Sequence, residues 1–124
     1  MVLVDTSIWI RHLRYGVRYL EYLLDESKVA CHHFVIGELA CGSIGNRDEV
    51  LALMQALPRV VPVDDNEILH FIDANLLMGR GIGLIDVHLL ASCKITQCLL
   101  WTSDKKLFDA ASEMSLAFTS PKNS

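Results

Sequence analysis

The sequence lacks most of the features that mark specialised protein classes. It has 7 glycines and 3 prolines in 124 residues, with no linker rich in proline, glycine or serine and no internal repeat. No apolar stretch reaches the roughly 18 residues that a membrane span needs, and no secretory signal follows Met1. We therefore expect a cytoplasmic protein that makes no use of a membrane, with a single domain over residues 1–119 and a tail over 120–124.

Cysteine is also scarce, and its spacing excludes two common kinds of site. The four cysteines are Cys31, Cys41, Cys93 and Cys98, and no two of them form a C-x-x-C pair. That spacing argues against a zinc ribbon and against a dithiol redox motif. Because their neighbours are mostly apolar, we expect four reduced thiols buried as small hydrophobic groups.

Basic residues are outnumbered, with 11 lysines plus arginines against 15 acids and a net charge of -4. A general nucleic-acid-binding protein is normally basic, so the composition as a whole argues against that class. Hydrophobic residues make up 52% and charged residues 21% of the chain. This balance excludes a disordered chain, because enough apolar surface is present to offset the entropy lost on folding.

Short apolar runs alternate with segments of helical spacing. This alternation predicts a doubly wound α/β fold, a three-layer α/β/α sandwich around a parallel sheet. Pro62 cannot donate a ladder hydrogen bond, so its strand should lie at an edge. The predicted strands are residues 1–4, 28–31, 60–63, 98–101 and 115–118. The predicted helices are 18–26, 34–44, 47–57, a segment that begins after Asp64, 86–96 and 105–112.

Four acids stand in mostly apolar surroundings and are predicted to meet in space. Asp5 and Asp104 follow predicted strands, Asp86 opens a predicted helix, and Glu38 lies about one turn into another. The carboxyl ends of parallel strands and the starts of the following helices share one edge of such a sheet. Four carboxylates crowded there would repel one another unless a cation were present. An all-oxygen donor set favours Mg²⁺ or Mn²⁺, as one or two ions.

Each aspartate also has a simpler interpretation as a helix N-cap, which fits Asp5 and Asp104 in particular. Glu38 has no such role, and an unpaired charge in an apolar helix is costly. The overall charge favours a shared site. Setting these four aside leaves 11 acids, equal to the 11 lysines plus arginines.

Polar neighbours of the acids extend the predicted site. The hydroxyl residues Thr6, Ser7, Thr102 and Ser103 could orient carboxylates or water, although strand-end hydrogen bonding explains them equally well. A polyanion could be guided by the basic residues Arg11, Arg14, Arg18, Lys105 and Lys106, which would contact phosphates without reading bases.

In this order, the four acids and their flanking segments resemble PIN-domain ribonucleases, and within them the VapC toxins of type II toxin–antitoxin pairs. The similarity covers nearly the whole chain. The matching segments are residues 4–10 around Asp5, 35–39 around Glu38, 83–92 around Asp86 and 101–107 around Asp104. One departure is the pair His32-His33, where many relatives have small hydroxyl residues or proline.

The resemblance implies a five-stranded parallel sheet between helices and Mg²⁺- or Mn²⁺-dependent endonucleolytic cleavage of RNA. Asp5, Glu38, Asp86 and Asp104 would be the metal-binding catalytic acids. The resemblance also implies a homodimer, silenced by a VapB-type antitoxin that places a basic side chain by the acidic pocket and lies along helices 34–44 and 47–57.

Two other functions stay open at the level of sequence. A phospho-accepting receiver domain fits the length, with Asp64 and Asp65 after the third strand and Lys105 after the fourth, but it gives Glu38 no role. A catalytically silent interaction module of the same fold would keep all four acids without turnover.

Overall fold

The core of the fold is a short parallel sheet. In the computed structural model, which describes residues 1–121, the strands are β1 (Val2–Val4), β2 (Val29–Ala30) and β3 (Leu99–Trp101). All pair in parallel in the order β2-β1-β3. Val2 lies opposite both Val29 and Leu99, so β1 is the central strand. Residues 122–124 of the predicted tail lie outside the described part of the chain.

Seven helices connect and follow these strands within residues 1–121. They are α1 (Thr6–Tyr15), α2 (Arg18–Asp25), α3 (His33–Cys41), α4 (Arg47–Gln55), α5 (Asp65–Ala74), α6 (Leu84–Thr96) and α7 (Lys105–Glu113). Right-handed crossovers place α1 to α4 on one face of the sheet and α5 to α7 on the other. Accordingly, α3 contacts both α1 and α4, whereas α5 contacts α6. The predicted α/β sandwich is confirmed.

The expected number of five strands is wrong, because the two outer runs make only single bridges. Arg59 bridges Cys31 and Ala117 bridges Leu100, both in parallel. The two segments lie where the third and fifth strands were predicted, beside β2 and β3. Pro62 explains the first case, since it has no N–H with which to extend the ladder.

Buried apolar side chains on both faces of the strands explain why the sheet forms. Leu3, Val4 and Leu100 are fully buried, and Trp9 of α1 is 1% exposed. Strands covered on both sides read as continuous apolar runs, which is the pattern that predicted them. The helix predicted after Asp64 begins with a capping box between Asp64 and Glu67.

One smaller expectation is wrong. The four cysteines are free, but Cys41 is exposed at the end of α3 while the other three are buried. Arg11 and Arg14 lie on α1 and Arg18 starts α2, because Gly16 at φ +76° ends α1. Within residues 1–121, no helix is both long enough and apolar enough to cross a membrane.

Candidate active site

Asp5 is the most firmly held of the four acids. It directly follows β1 and is 7% exposed. Its Oδ1 accepts a hydrogen bond from the Thr6 backbone N–H at 2.7 Å, which makes it the N-cap of α1. Its Oδ2 accepts from the Ser7 hydroxyl at 3.0 Å and from the buried Thr102 hydroxyl at 2.7 Å. Asp5 is therefore both a helix cap and the centre of a polar network.

Asp104 follows β3, three residues beyond its last residue Trp101. Its Oδ1 accepts from the Leu107 backbone N–H at 3.0 Å and caps α7. Its own backbone N–H donates to Thr102 Oγ1 at 3.1 Å. Because the Thr102 hydroxyl also donates to Asp5, one threonine side chain joins the ends of the two neighbouring strands. The backbone N–H of Ser103 makes a second link, to Ser7 Oγ at 3.2 Å.

Glu38 approaches the same edge from α3. Its carboxylate accepts a hydrogen bond from the Thr6 hydroxyl, with 2.7 Å between Oγ1 and Oε1. The apolar neighbours in sequence suggested a buried charge, but Glu38 is exposed on its helix. The Thr6 hydroxyl on α1 is its hydrogen-bond partner.

Asp86 completes the group from the first turn of α6. It was expected to open the helix, but the helix begins at Leu84 with Gly83 as the N-cap. The Gly83 backbone N–H donates to Asp86 Oδ2 at 3.2 Å. Asp86 is therefore the third residue of the helix and is half-buried.

The electrostatics of Asp86 show that the four acids share one region. Its pKa is raised, chiefly by burial and further by the negative charges of Asp5, Asp104 and Glu38. The Gly83 N–H opposes this shift by stabilising the ionised form. The structure thus brings Asp86 within electrostatic range of the other three acids.

All four predicted hydroxyl residues lie in this network. The hydroxyls of Thr6, Ser7 and Thr102 each donate to one of the carboxylates, whereas Ser103 takes part through its backbone N–H. Such donors fix the orientation of a carboxylate.

The predicted basic residues differ in which groups lie next to them. Arg14 lines a cavity of about 220 Å³ together with Glu38. Lys105 pairs with Asp109 at 3.2 Å on the surface of α7. Lys106 lies against Gly81, whose φ is +77° and where an added Cβ would approach the lysine side chain to 2.9 Å. Its ammonium group thus lies close to the loop that leads to Asp86.

His32 and His33 contribute packing at the start of α3. The Nδ1 atom of His32 accepts from the Phe34 backbone N–H at 3.0 Å and caps the helix. Its ring stacks on that of His33 with centroids 4.5 Å apart. Burial, with the positive charges of His33, His88 and Arg59, lowers the pKa of His32 to about 4. His32 is therefore neutral at physiological pH.

The chemistry of the donor set, rather than a preformed cluster, fits a hydrated divalent cation. Within residues 1–121, no group of three or more His, Cys, Asp or Glu side chains is arranged so that it could hold a metal ion. Mg²⁺ is typically bound by one or two carboxylates and keeps several water molecules, so a hydrated ion needs no such group. Carboxylate oxygens are the ligands that Mg²⁺ and Mn²⁺ prefer, and a cation would relieve the repulsion between the acids.

Comparison with known proteins identifies the family of this chain. A family model for the PIN domain matches residues 2–113. The chain is 43% identical over 118 residues to Ribonuclease VapC32 of two strains of Mycobacterium tuberculosis, covering 94% of this chain and 95% of the relative. The chain belongs to the VapC group of the PIN-domain family. The predicted family is confirmed, and the receiver-domain alternative is wrong.

A solved structure has a similar fold. PAE2754 from Pyrobaculum aerophilum matches with a TM-score of 0.59 at 17% identity, covering 88% of this chain and 83% of that chain. At that identity the match concerns the fold alone. The two proteins therefore share the arrangement of sheet and helices described above over most of their lengths.

Proposed function

We propose that this VapC protein is a metal-dependent endoribonuclease and the toxin of a VapBC pair. The observation that carries the proposal is the hydrogen-bonded network that joins Asp5, Glu38 and Asp104 through Thr6 and Thr102. The ribonuclease activity stated in the name of its Mycobacterium tuberculosis relative supports RNA as the substrate. We also propose that the protein acts in the cytoplasm.

The catalytic acids proposed are Asp5, Glu38, Asp86 and Asp104, which would hold one or two Mg²⁺ or Mn²⁺ ions. When bound, such an ion supplies an activated water and stabilises the charge that develops on the phosphate. The chain itself supplies orientation. Hydrogen bonds from Thr102 and Ser7 hold Asp5 Oδ2, and that from Thr6 holds Glu38.

The RNA backbone would be positioned by basic side chains around this edge. Lys106, close to Gly81, and Arg14, beside Glu38, are the best placed candidates. Arg11, Arg18 and Lys105 would add longer-range attraction, weakened for Lys105 by its pairing with Asp109. Such contacts bind phosphates without reading sequence.

The partners proposed are a VapB-type antitoxin and a second copy of this chain. The antitoxin would lie along α3 and α4 and place a basic side chain against the acids. Mutual repulsion among the four carboxylates favours such a cation on electrostatic grounds.

The direct test is cleavage of RNA by antitoxin-free protein with and without Mn²⁺. We expect cleavage only with the metal, and none by Asp5→Asn, since asparagine keeps the N-cap but removes the charge. A folded wild-type protein that cleaves no RNA under any of these conditions would contradict the nuclease proposal and favour the silent interaction module.

A further inference from the structure

A mostly apolar pocket lies directly beside the acidic site. It measures about 480 Å³ and is lined by Phe34, Gly37, Glu38, Cys41 and Ile85. Glu38 belongs to both the pocket and the acid network, and Ile85 precedes Asp86. The size falls within the range typical of small-molecule pockets. A group bound there would lie next to the proposed scissile phosphate.

Phe34 gives this pocket a fixed aromatic surface. Its ring and that of His88 are nearly perpendicular, with centroids 5.0 Å apart. The centroid of the His33 ring lies 4.3 Å from that of Phe34. It also stacks against the capping residue His32 at 5.1 Å. A phenyl ring held on several sides loses little conformational entropy when a flat ligand stacks on it.

Gly37 leaves the space open. Its φ lies outside the left-handed region, and a Cβ added there would meet nothing within 4 Å. In the middle of an exposed helix, glycine costs about 1 kcal/mol relative to alanine. Neither backbone conformation nor packing requires glycine at this position, so its effect is to widen the pocket beside Glu38.

The chemistry of the lining favours a neutral flat group over a charged one. Among the lining residues the only charge is that of Glu38, so a phosphate inside the pocket would be repelled. Unstacked RNA bases are commonly bound by stacking on aromatic side chains. We propose that this pocket, formed by Phe34, Gly37, Cys41 and Ile85, binds a nucleobase that flanks the scissile phosphate, an inference that rests on the proposed nuclease function.

The test uses an RNA that the wild type cleaves at one mapped position with Mn²⁺. Each nucleotide near the cut is replaced in turn by an abasic ribose, and kcat/KM is measured. At the nucleotide whose base occupies the pocket, we expect the abasic substitution to lower kcat/KM of the wild type by about 10-fold, which is the order expected for the loss of one base stack.

Two variants connect that loss to the pocket. Gly37→Leu fills the space and Phe34→Ala removes the aromatic surface. In both, the abasic substitution should cost less than about 2-fold, because the base no longer has a stacking partner. Ala74→Leu and Phe71→Ala, matched changes on the distant helix α5, should keep the wild-type penalty. Because Phe34→Ala also removes packing, Gly37→Leu is the decisive variant if the alanine variant is unstable.

The outcomes separate this inference from the nuclease proposal. If the wild type cleaves no RNA, both are wrong. If the wild type cleaves but Gly37→Leu keeps the full abasic penalty, only the nucleobase pocket is wrong. If Gly37→Leu cleaves like the wild type and instead escapes inhibition by a VapB-type antitoxin, the pocket binds the protein partner and the inference is overturned.

Discussion

The two acids at strand ends differ from the two on helices in how firmly they are held. Asp5 accepts three hydrogen bonds, and Asp104 is fixed through both its side chain and its backbone. Within residues 1–121, the carboxylates of Glu38 and Asp86 each accept one hydrogen bond. The strand ends therefore form a fixed side of the site. The helices form an adjustable side that can respond to a cation or substrate.

The largest expected effect is that of Asp5→Asn on the fixed side. We expect cleavage to fall by at least about 1,000-fold, because several kcal/mol of charge stabilisation depend on the metal. The melting temperature should change little, since asparagine also caps helices. The exposed change Asp25→Asn on α2 serves as a matched control in the same RNA cleavage assay.

Stability should depend on pH through His32, the residue that starts the helix of Glu38. Its pKa is near 4 in the folded protein against 6.5 for an ordinary histidine, so the unfolded chain binds more protons between these values. The contribution of His32 to the free energy of unfolding should be constant above pH 6.5. It should fall by about 3 kcal/mol as the pH drops from 6.5 toward 4.

Urea denaturation across this pH range measures the effect. His32→Asn, which keeps a capping side chain, should flatten the dependence, whereas the exposed His70→Gln should not. An unchanged pH profile in His32→Asn would show that other groups are responsible.

Removing the hydroxyl that joins the strand ends should have an intermediate effect. Thr102→Val leaves Asp5 Oδ2 and the Asp104 N–H without a shared partner and should lower kcat by about 10- to 100-fold. Thr6→Val removes the hydroxyl that holds the exposed Glu38 and should cost less. Equal losses in the two variants would contradict the distinction between a fixed and an adjustable side.

The smallest expected effect is a gain in stability of the metal-free protein. Glu38→Gln removes one of the repelling charges and should stabilise the apo form by less than about 1 kcal/mol, because the side chain is exposed. Mn²⁺ should stabilise this variant less than the wild type. A variant less stable than the wild type in EDTA would show that repulsion is not the dominant force on Glu38.

The sequence predicted the fixed side of the site better than the adjustable side. Asp5 and Asp104 follow apolar runs that can only be buried strands, so their common edge follows from parallel topology. The start of α6 was predicted two residues too late, at Asp86 instead of Leu84, because the N-cap Gly83 has no side chain that signals a cap. The exposure of Glu38 and Cys41 depends on how α3 lies against its neighbours, which residue types alone do not specify.

Two further features have no local signal in sequence. The outer strands reduce to single bridges at Arg59 and Ala117 because ladder length depends on the neighbouring chain. The pocket beside Glu38 results from an absent side chain at Gly37 and from rings that meet in space. Neither produces a periodic pattern.

The most direct test of the central claim is the binding of Mn²⁺ to antitoxin-free protein. Titration calorimetry measures the binding, and thermal unfolding measures its effect on stability in parallel. We predict saturable binding with a rise in melting temperature for the wild type, lost in Asp5→Asn and weakened in Glu38→Gln. The same affinity in the wild type and Asp5→Asn, or no binding at millimolar Mn²⁺, would contradict a shared metal site built by these four acids.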